Sequence, residues 1–266
     1  MKYLLLGSRS FLGASYSKYL SEKKIQVLSL SQINSQNYSK NFIEKSIDSF
    51  KPSKIYDFRF PLVSSNDELY KKINTKDFFK TQIEFIDVIN NLSKNVPEIY
   101  LISSSNITKK KNVYTSLKKK QEDIYKKNLL NNKKLRILRL NAVLGEGDLN
   151  VNRLIPYFFK SIFVHNYVNL EINSNSIGNF SFVGDTNEYL YSHTVNKQKN
   201  FKVKYKILIY TLSDILKSKY KLYHQVDWNK KDLLSNSLNK SDTFYANLEN
   251  MTDWYYQNRH KFMESI

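Results

Sequence analysis

Residues 1–31 read MKYLLLGSRSFLGASYSKYLSEKKIQVLSLS, and this stretch decides the fold. The apolar run Tyr3–Leu6 is long enough for one buried strand, and a turn with two glycines follows it. Residues 14–24 have the pattern of a helix, and residues 25–30 that of a second strand. A strand, a glycine turn, a helix and a strand within about thirty residues form the opening unit of a dinucleotide-binding fold.

The turn between the first strand and the first helix has the chemistry that a pyrophosphate requires. Gly7 permits a tight turn, Gly13 lets the helix pack closely on the strand, and the helix N-terminus offers N–H groups and a positive dipole end. The middle glycine of the pattern is missing, because Ser10 stands in its place. An ordinary β-α-β unit without a ligand is the alternative interpretation. The candidate cofactor-binding residues of this turn are Gly7, Arg9, Ser10, Phe11, Leu12 and Gly13.

The rest of the chain continues the alternation of strands and helices. Predicted strands at 53–58, 99–102 and 135–140 alternate with predicted helices at 41–50, 67–92 and 114–130. This order predicts an α/β fold with a doubly wound, Rossmann-like parallel sheet over residues 1–150. Residues 151–266 are predicted to form a smaller C-terminal substrate-binding lobe, with some elements returning to the Rossmann part. In this lobe we predict helices at 154–163, 212–220 and 251–262, and strands at 169–172, 180–183 and 205–210.

The net charge of +18 is the most unusual bulk property of these 266 residues. Most of the positive charge is lysine, whereas arginine is better suited to reading bases and gripping phosphates with two hydrogen bonds. The lysine clusters at 109–111 and 118–120 are therefore interpreted as solvated faces, and we expect no nucleic-acid partner. A basic surface still attracts an anionic nucleotide substrate.

Several other classes of protein are disfavoured by what the sequence lacks. The absence of cysteine excludes disulfides, thiolate metal sites and a cysteine nucleophile, and the four histidines show no metal-ligand spacing. No apolar run reaches the roughly eighteen residues of a membrane span, and the N-terminal apolar run is too short for a signal peptide. We therefore expect a cytoplasmic protein without a metal.

A tyrosine and a lysine carry the candidate chemistry. Tyr114 precedes Lys118 by four residues at the start of a predicted helix, which puts both side chains on one face. An ammonium group close to a phenol lowers the phenol pKa from about 10 toward neutral pH. Such a tyrosine exchanges a proton with a sugar or alcohol oxygen, and a serine hydroxyl from 103–105 hydrogen-bonds to that oxygen. A surface helix that carries both residues by chance is the alternative, since both types are abundant here.

Taken in order, these motifs resemble the extended short-chain dehydrogenase/reductase family, specifically its NAD-dependent epimerase/dehydratase and nucleotide-sugar reductase members. The glycine turn, the serine run, the tyrosine and lysine, and residues 139–145 (RLNAVLG) occur in the family's order. Phe182-Val183-Gly184-Asp185 and the segment 248–258 also fall where the family has comparable segments. The resemblance covers nearly the whole chain.

The resemblance implies a role for each residue of the candidate site. Tyr114 is the implied acid/base, and Lys118 is its pKa-lowering partner and the anchor of the cofactor ribose. Ser104 is the third catalytic residue, with Ser105 as its rival. The further implied cofactor-binding residues, beyond the glycine turn and Lys118, are Ser31, Phe58, Arg59 and Asn74.

Departures from the family pattern narrow the reaction. Dehydratases have an Asp-Glu pair after the hydroxyl residue, whereas Asn106-Ile107 follows Ser105 here. Epimerase-reductases with a cysteine–histidine pair are disfavoured because the chain has no cysteine. The segment between Ser105 and Tyr114 is short, and bulky Phe58-Arg59-Phe60 replaces the usual small residues where the cofactor passes.

Two residues bear on the type of cofactor. Ser31 stands at the end of the second strand, where NAD-binding proteins place an acidic residue, and Arg9 resembles the basic residue of NADP-dependent members. A solvated turn residue is the alternative for Arg9. We therefore predict an enzyme that uses NADP(H), with NAD(H) as the alternative, and reduces a keto group of a nucleotide-linked sugar. The alternatives are an NDP-sugar 4-epimerase with tightly bound NAD and a non-catalytic nucleotide-binding protein. A homodimer is a further implication of the resemblance.

Overall fold

The computed structural model describes eight stretches of the chain, and its contacts divide them between two compact units. The units are Met1–Leu140 and Asn141–Ile266. The predicted boundary at residue 150 falls inside the second unit. The described stretches are residues 1–30, 40–60, 75–92, 97–108, 112–129, 134–192, 198–228 and 243–263.

The first unit contains a five-stranded parallel sheet with the order β2-β1-β3-β4-β5. The direction of winding reverses at β1, which lies between β2 and β3. In open α/β sheets, ligands bind beyond the carboxyl ends of the strands at such a reversal. The strands are β1 (Lys2–Leu6), β2 (Gln26–Leu30), β3 (Lys54–Asp57), β4 (Glu98–Ser104) and β5 (Leu135–Leu140).

Helices cover both faces of this sheet. Successive residues of a strand point to opposite faces of the sheet, so the side chains of Leu4 and Tyr3 in β1 lie on different faces. Leu4 belongs to a core with residues of the second, third and fourth helices, whereas Tyr3 shares an aromatic cluster with Tyr16 of the first helix and Tyr56. The predicted doubly wound sheet is therefore confirmed. The helices are α1 (Phe11–Glu22), α2 (Lys40–Phe50), α3 (Thr75–Asn91) and α4 (Val113–Asn128), with a 3₁₀ turn at Ser105–Thr108.

The second unit is built on two small sheets and an aromatic core. One sheet has the order β6-β8-β9 and the other pairs β7 with β10. The rings of Phe159 and Tyr255 stack with centroids 4.2 Å apart at the centre of this core. The strands are β6 (Ala142–Leu144), β7 (Tyr167–Leu170), β8 (Ile177–Phe182), β9 (Phe201–Lys204) and β10 (Gln225–Trp228). The helices are α5 (Leu154–His165), α6 (Val183–Ser192), α7 (Tyr205–Tyr220), α8 (Thr243–Gln257) and α9 (His260–Met263).

The second unit is also where the sequence interpretation was least accurate. Residues 205–210 were predicted as a strand but form the first turns of α7. Leu208, Leu212 and Ile215 are all buried at helical spacing, a pattern that a short apolar run does not reveal. The sequence patterns predict none of β6, β9, β10 and α6. β6 pairs with β8 of the second unit. This pairing explains why the boundary between the units comes before residue 150.

Candidate functional site

Gly7 closes the turn after β1, and only glycine fits there. Its φ of +76° lies in the region that other residues rarely adopt, and a Cβ atom would come within 2.9 Å of the Arg59 backbone nitrogen. The Gly7 and Ser8 N–H groups both donate to the Leu30 carbonyl oxygen, at 2.9 and 3.2 Å. The turn is thus held against the ends of both strands that neighbour β1.

Ser10, which replaces the expected middle glycine, is the N-cap of α1. Its Oγ accepts a hydrogen bond from the Gly13 N–H at 3.1 Å, and its own N–H donates to the Gly7 carbonyl at 3.0 Å. A Cβ atom on Gly13 would lie 2.5 Å from that carbonyl oxygen, which is too close. Glycine at this position therefore allows the first turn of α1 to pack against the Gly7 turn. The cap also explains why α1 begins at Phe11, before the predicted start at residue 14.

These residues fit the pyrophosphate of a dinucleotide. The first turn of a helix leaves N–H groups without partners inside the helix, and the helix dipole favours an anion there. Phe11 and Leu12 form that first turn, and Arg9 is exposed beside it. Ser31 and Asn74, the two other predicted contacts of the cofactor, lie outside the described residues.

Phe58 and Arg59, two of the predicted cofactor-binding residues, have buried side chains. The Phe58 ring packs 5.9 Å from that of Tyr16. The Arg59 guanidinium donates to the Asp57 carboxylate, with Nη2 2.7 Å from Oδ2, and also to the Tyr125 hydroxyl oxygen at 3.4 Å. The side chains of both residues are thus engaged in contacts within the first unit.

The three serines at the end of β4, Ser103 to Ser105, have different environments. Ser104 is the last residue of the strand, and its Oγ accepts a hydrogen bond from the Asn106 N–H at 3.2 Å. The Ser103 hydroxyl donates to the buried Glu122 carboxylate at 2.7 Å, and Ser105 begins the 3₁₀ turn. Ser104 therefore terminates the strand at the sheet edge where the prediction placed the third catalytic residue.

The start of α4 is set by a capping box. The Asn112 Oδ1 accepts from the Thr115 N–H at 2.8 Å, and the Thr115 hydroxyl accepts from the Asn112 N–H at 3.0 Å. This places Tyr114 in the first turn and Lys118 one turn later on the same face. Tyr114 is half-buried, whereas Lys118 is only 6% exposed.

Lys118 connects this helix to the end of β4. Its Nζ donates to the Ile102 carbonyl oxygen at 2.9 Å and to Gln121 Oε1 at 3.3 Å. Burial lowers the pKa of Lys118 from 10.5 to about 7. The nearby carboxylates of Asp57 and Glu122 act in the opposite direction, because they stabilise the ammonium form. Because Ile102 lies two residues before Ser104, this hydrogen bond ties the lysine to the strand that carries the serine.

Phe60 lies between the tyrosine and the lysine, and the sequence identified it only by its bulk. The Lys118 Nζ is 4.1 Å from the centroid of its ring. The rings of Phe60 and Tyr114 meet at 80°, with centroids 5.3 Å apart. The ring of Phe60 is thus the group that joins the two predicted catalytic side chains.

Hydrogen bonds of the buried Gln121 and Glu122 hold α4, the helix of Tyr114 and Lys118, against its neighbours. The Gln121 amide donates to the Arg59 carbonyl oxygen at 3.1 Å and to Gln82 Oε1 at 3.3 Å. Glu122 accepts two hydrogen bonds from Arg139, at 2.9 and 2.7 Å. Burial acts to raise the pKa of Glu122, but the hydrogen bonds from Arg139 and Ser103 outweigh it and keep this pKa below its ordinary value. Gln121 was not predicted, because an amide in a lysine-rich helix carries no signal of its own.

The described stretches contain neither a cluster of metal-binding side chains nor a helix that could span a membrane. Within them, no three histidine, cysteine, aspartate or glutamate side chains come together as a metal ion requires. Across the same stretches, each helix is too short or too polar to cross a bilayer.

Solved structures match nearly the whole chain, although no protein-family model and no curated protein matches the sequence. An epimerase from Methanothermobacter thermautotrophicus superposes with a TM-score of 0.74 at 13% identity, over 99% of this chain and 94% of that one. The dTDP-glucose 4,6-dehydratase of Bacillus anthracis, in complex with NAD, gives 0.71 at 14% identity, over 98% of both chains. The chain has the fold of these enzymes.

A third structure extends the likeness to a complex with a nucleotide sugar. The UDP-glucose 4-epimerase of Thermotoga maritima, solved with UDP-glucose, has a TM-score of 0.70 at 12% identity, over 97% of this chain and 100% of that one. The resemblance drawn from the glycine turn, the serines, Tyr114 and Lys118 is thus confirmed at the level of the fold.

Proposed function

We propose that the protein is an NAD(P)-dependent oxidoreductase that reduces a keto group of a nucleotide-linked sugar. One observation carries the proposal. Tyr114 and Lys118 share one face of α4, and the lysine donates a hydrogen bond to a main-chain carbonyl of β4, the strand that ends at Ser104. In the sheet that contains β4, the Gly7 turn follows the carboxyl end of β1, and open α/β sheets bind ligands at this edge.

The three side chains have distinct roles in this proposal. Tyr114 gives its phenolic proton to the keto oxygen, and Ser104 donates a hydrogen bond to the same oxygen as negative charge develops on it. The Lys118 ammonium lowers the pKa of the phenol. When bound, the nicotinamide dinucleotide supplies the hydride for the keto carbon. The hydride and the proton together convert the ketone to an alcohol.

NADP(H) is the cofactor that we favour. The exposed Arg9 side chain lies on the turn between β1 and α1, where its charge suits the extra phosphate of NADP. Ser31 follows β2 and brings no negative charge that would repel this phosphate. NAD(H) is the alternative, and the Bacillus anthracis dehydratase was solved with NAD.

The proposed substrate is a nucleotide sugar. The Thermotoga maritima epimerase was solved with UDP-glucose, and the net charge of +18 favours an anionic substrate. An NDP-sugar 4-epimerase is the second candidate, and the likeness to two epimerase structures supports it. A cofactor that co-purifies in the oxidised form supports the epimerase, whereas a weakly held NADPH supports the reductase. A homodimer stays a prediction.

The Tyr114→Phe variant tests the catalytic proposal. We expect turnover of a 4-keto nucleotide sugar to fall by about 10²- to 10⁴-fold, because the proton donor is lost. Binding of NADPH and NADH, followed by the fluorescence of the reduced nicotinamide, should not change, and NADPH should bind more tightly than NADH.

Tyr157→Phe is the matched control, because Tyr157 is an exposed tyrosine of α5 in the second unit. It should retain full turnover. Full activity in Tyr114→Phe contradicts the catalytic assignment, and tighter binding of NADH contradicts the cofactor preference.

A further inference from the structure

The surroundings of the Lys118 ammonium limit what else it can bind. An ammonium group has three N–H donors, and two of those on Lys118 go to the Ile102 carbonyl and the Gln121 amide oxygen. The Phe60 ring also lies over this nitrogen, with its centroid 4.1 Å away. The residue Lys118 as a whole is 6% exposed.

Phe60 is itself held in this position by two other rings. It packs perpendicular to Tyr114 at 5.3 Å and perpendicular to Phe78 of α3 at 5.8 Å. Perpendicular aromatic pairs at such distances attract one another. An ammonium over a ring face is attracted as well, most strongly where water is excluded. The covered arrangement is therefore favoured by three separate contacts.

We propose that Phe60 sets the affinity of the site for a dinucleotide, because its ring occupies the side of the Lys118 ammonium that a ribose hydroxyl must reach. This inference rests on the proposed function, in which Lys118 holds the cofactor ribose. The two acceptors behind the lysine belong to the protein interior, so the ring is the one neighbour of the three that can turn aside. Binding of the dinucleotide then requires displacement of Phe60.

The position of the Phe60 ring over Lys118 can be tested without cofactor, because the charged groups around the lysine do not depend on that ring. Asp57 faces it from β3 and Glu122 from α4, and each carboxylate is already paired with an arginine, Arg59 or Arg139. Neither pair includes Phe60. Removal of the ring therefore changes the contact of the lysine with water and leaves these charges in place.

Phe60→Ala is the central variant, and Phe78→Ala, which keeps the Phe60 ring but removes one of its neighbours, is the variant compared with it. We expect Phe60→Ala to bind NADPH about five- to tenfold more tightly than the wild type, because no ring has to be displaced. Phe78→Ala removes one of the contacts that hold Phe60 in place but leaves the ring over the lysine, so it should tighten NADPH binding by less than Phe60→Ala does. Phe60→Trp keeps a ring over the ammonium and should bind more weakly, which tests the proposal even if the alanine variant fails to fold.

Amine labelling provides a readout that needs no cofactor. The pH dependence of acylation at Lys118, measured by mass spectrometry against the exposed Lys119 of the same helix, reports the proton affinity of the lysine. The midpoint should lie near pH 7 in the wild type and in Phe78→Ala, and should move upward in Phe60→Ala, because water reaches the ammonium.

The two proposals fail in different ways. If the wild type and all variants bind neither NADPH nor NADH at millimolar concentration, the proposed function is wrong, and the inference built on it falls as well. If NADPH binds but Phe60→Ala and Phe78→Ala have equal affinities, the inference is overturned and the proposed function stands. An unchanged labelling midpoint in a folded Phe60→Ala also overturns the inference.

Discussion

At the residue scale, the site depends on one lysine that is costly to bury. Interior neighbours accept two hydrogen bonds from Lys118, yet burial still lowers its pKa to about 7. The spacing of Tyr114 and Lys118 was visible in the sequence. The burial was not, because it depends on Phe60 and Ile102, which lie far from Lys118 along the chain.

Lys118→Met should change how stability depends on pH. In the wild type the unfolded chain holds the lysine proton up to about pH 10.5 and the folded chain only to about pH 7, so this group makes stability rise with pH between those values. The variant lacks this rise. Relative to the wild type, its free energy of unfolding should be highest near pH 6 and should fall by a few kcal/mol by pH 10.

Urea denaturation at pH 6, 8 and 10 measures this difference. Lys119→Met on the exposed side of α4 is the control and should show no pH-dependent difference from the wild type. A constant difference between Lys118→Met and the wild type at all three pH values contradicts a lowered lysine pKa.

At the scale of the element, Ser10 shows how one position can satisfy two requirements. The dinucleotide pattern has a glycine there, and the sequence suggested a defect in the motif. In the structure the Ser10 hydroxyl caps α1 and accepts from Gly13, so the substitution stabilises the helix that the motif needs. The glycines that are sterically required, Gly7 and Gly13, are both retained.

Ser10→Ala should therefore destabilise the protein by about 1 kcal/mol, because the N-cap hydrogen bond is lost. Ser10→Gly restores the glycine spacing and should cost only a few tenths of a kcal/mol. Urea denaturation monitored by circular dichroism measures both values. Ser21→Ala on the exposed side of α1 is the control, and equal stabilities of Ser10→Ala and Ser21→Ala contradict the capping role.

At the scale of the whole molecule, the net charge of +18 is spread over many lysines. Several of them lie in exposed ion pairs, such as Lys119 with Asp123 and Lys219 with Asp253, which contribute little individually. The excess of positive charge therefore repels itself in the folded state.

Added salt should stabilise the protein, because it screens this repulsion more than it weakens exposed pairs. We expect the midpoint of thermal unfolding to rise by a few degrees between 20 and 200 mM NaCl. KCl at equal ionic strength should give the same rise, since screening does not depend on the cation. A midpoint that falls with salt contradicts this account and indicates that ion pairs dominate.

The sequence by itself determined the order of strands and helices in the first unit, the glycine turn, and the shared helix face of Tyr114 and Lys118. These features follow from periodicity and from residues close together in the chain, and short-range patterns record them directly. The strand predicted at 205–210 was wrong because that prediction also used only a short-range pattern. A short apolar run suits a strand and a buried helix equally.

Only the tertiary structure decided what the side chains of the candidate site contact. The Arg59 side chain is buried because its guanidinium donates to Asp57 and Tyr125. The ring of Phe60 covers Lys118 because α4 packs beside the end of β3. The contacts of Arg59 with Tyr125 and of Phe60 with Lys118 join residues about sixty positions apart in the sequence. Contacts over such distances depend on how the sheet brings its strands and helices together, which no local pattern encodes.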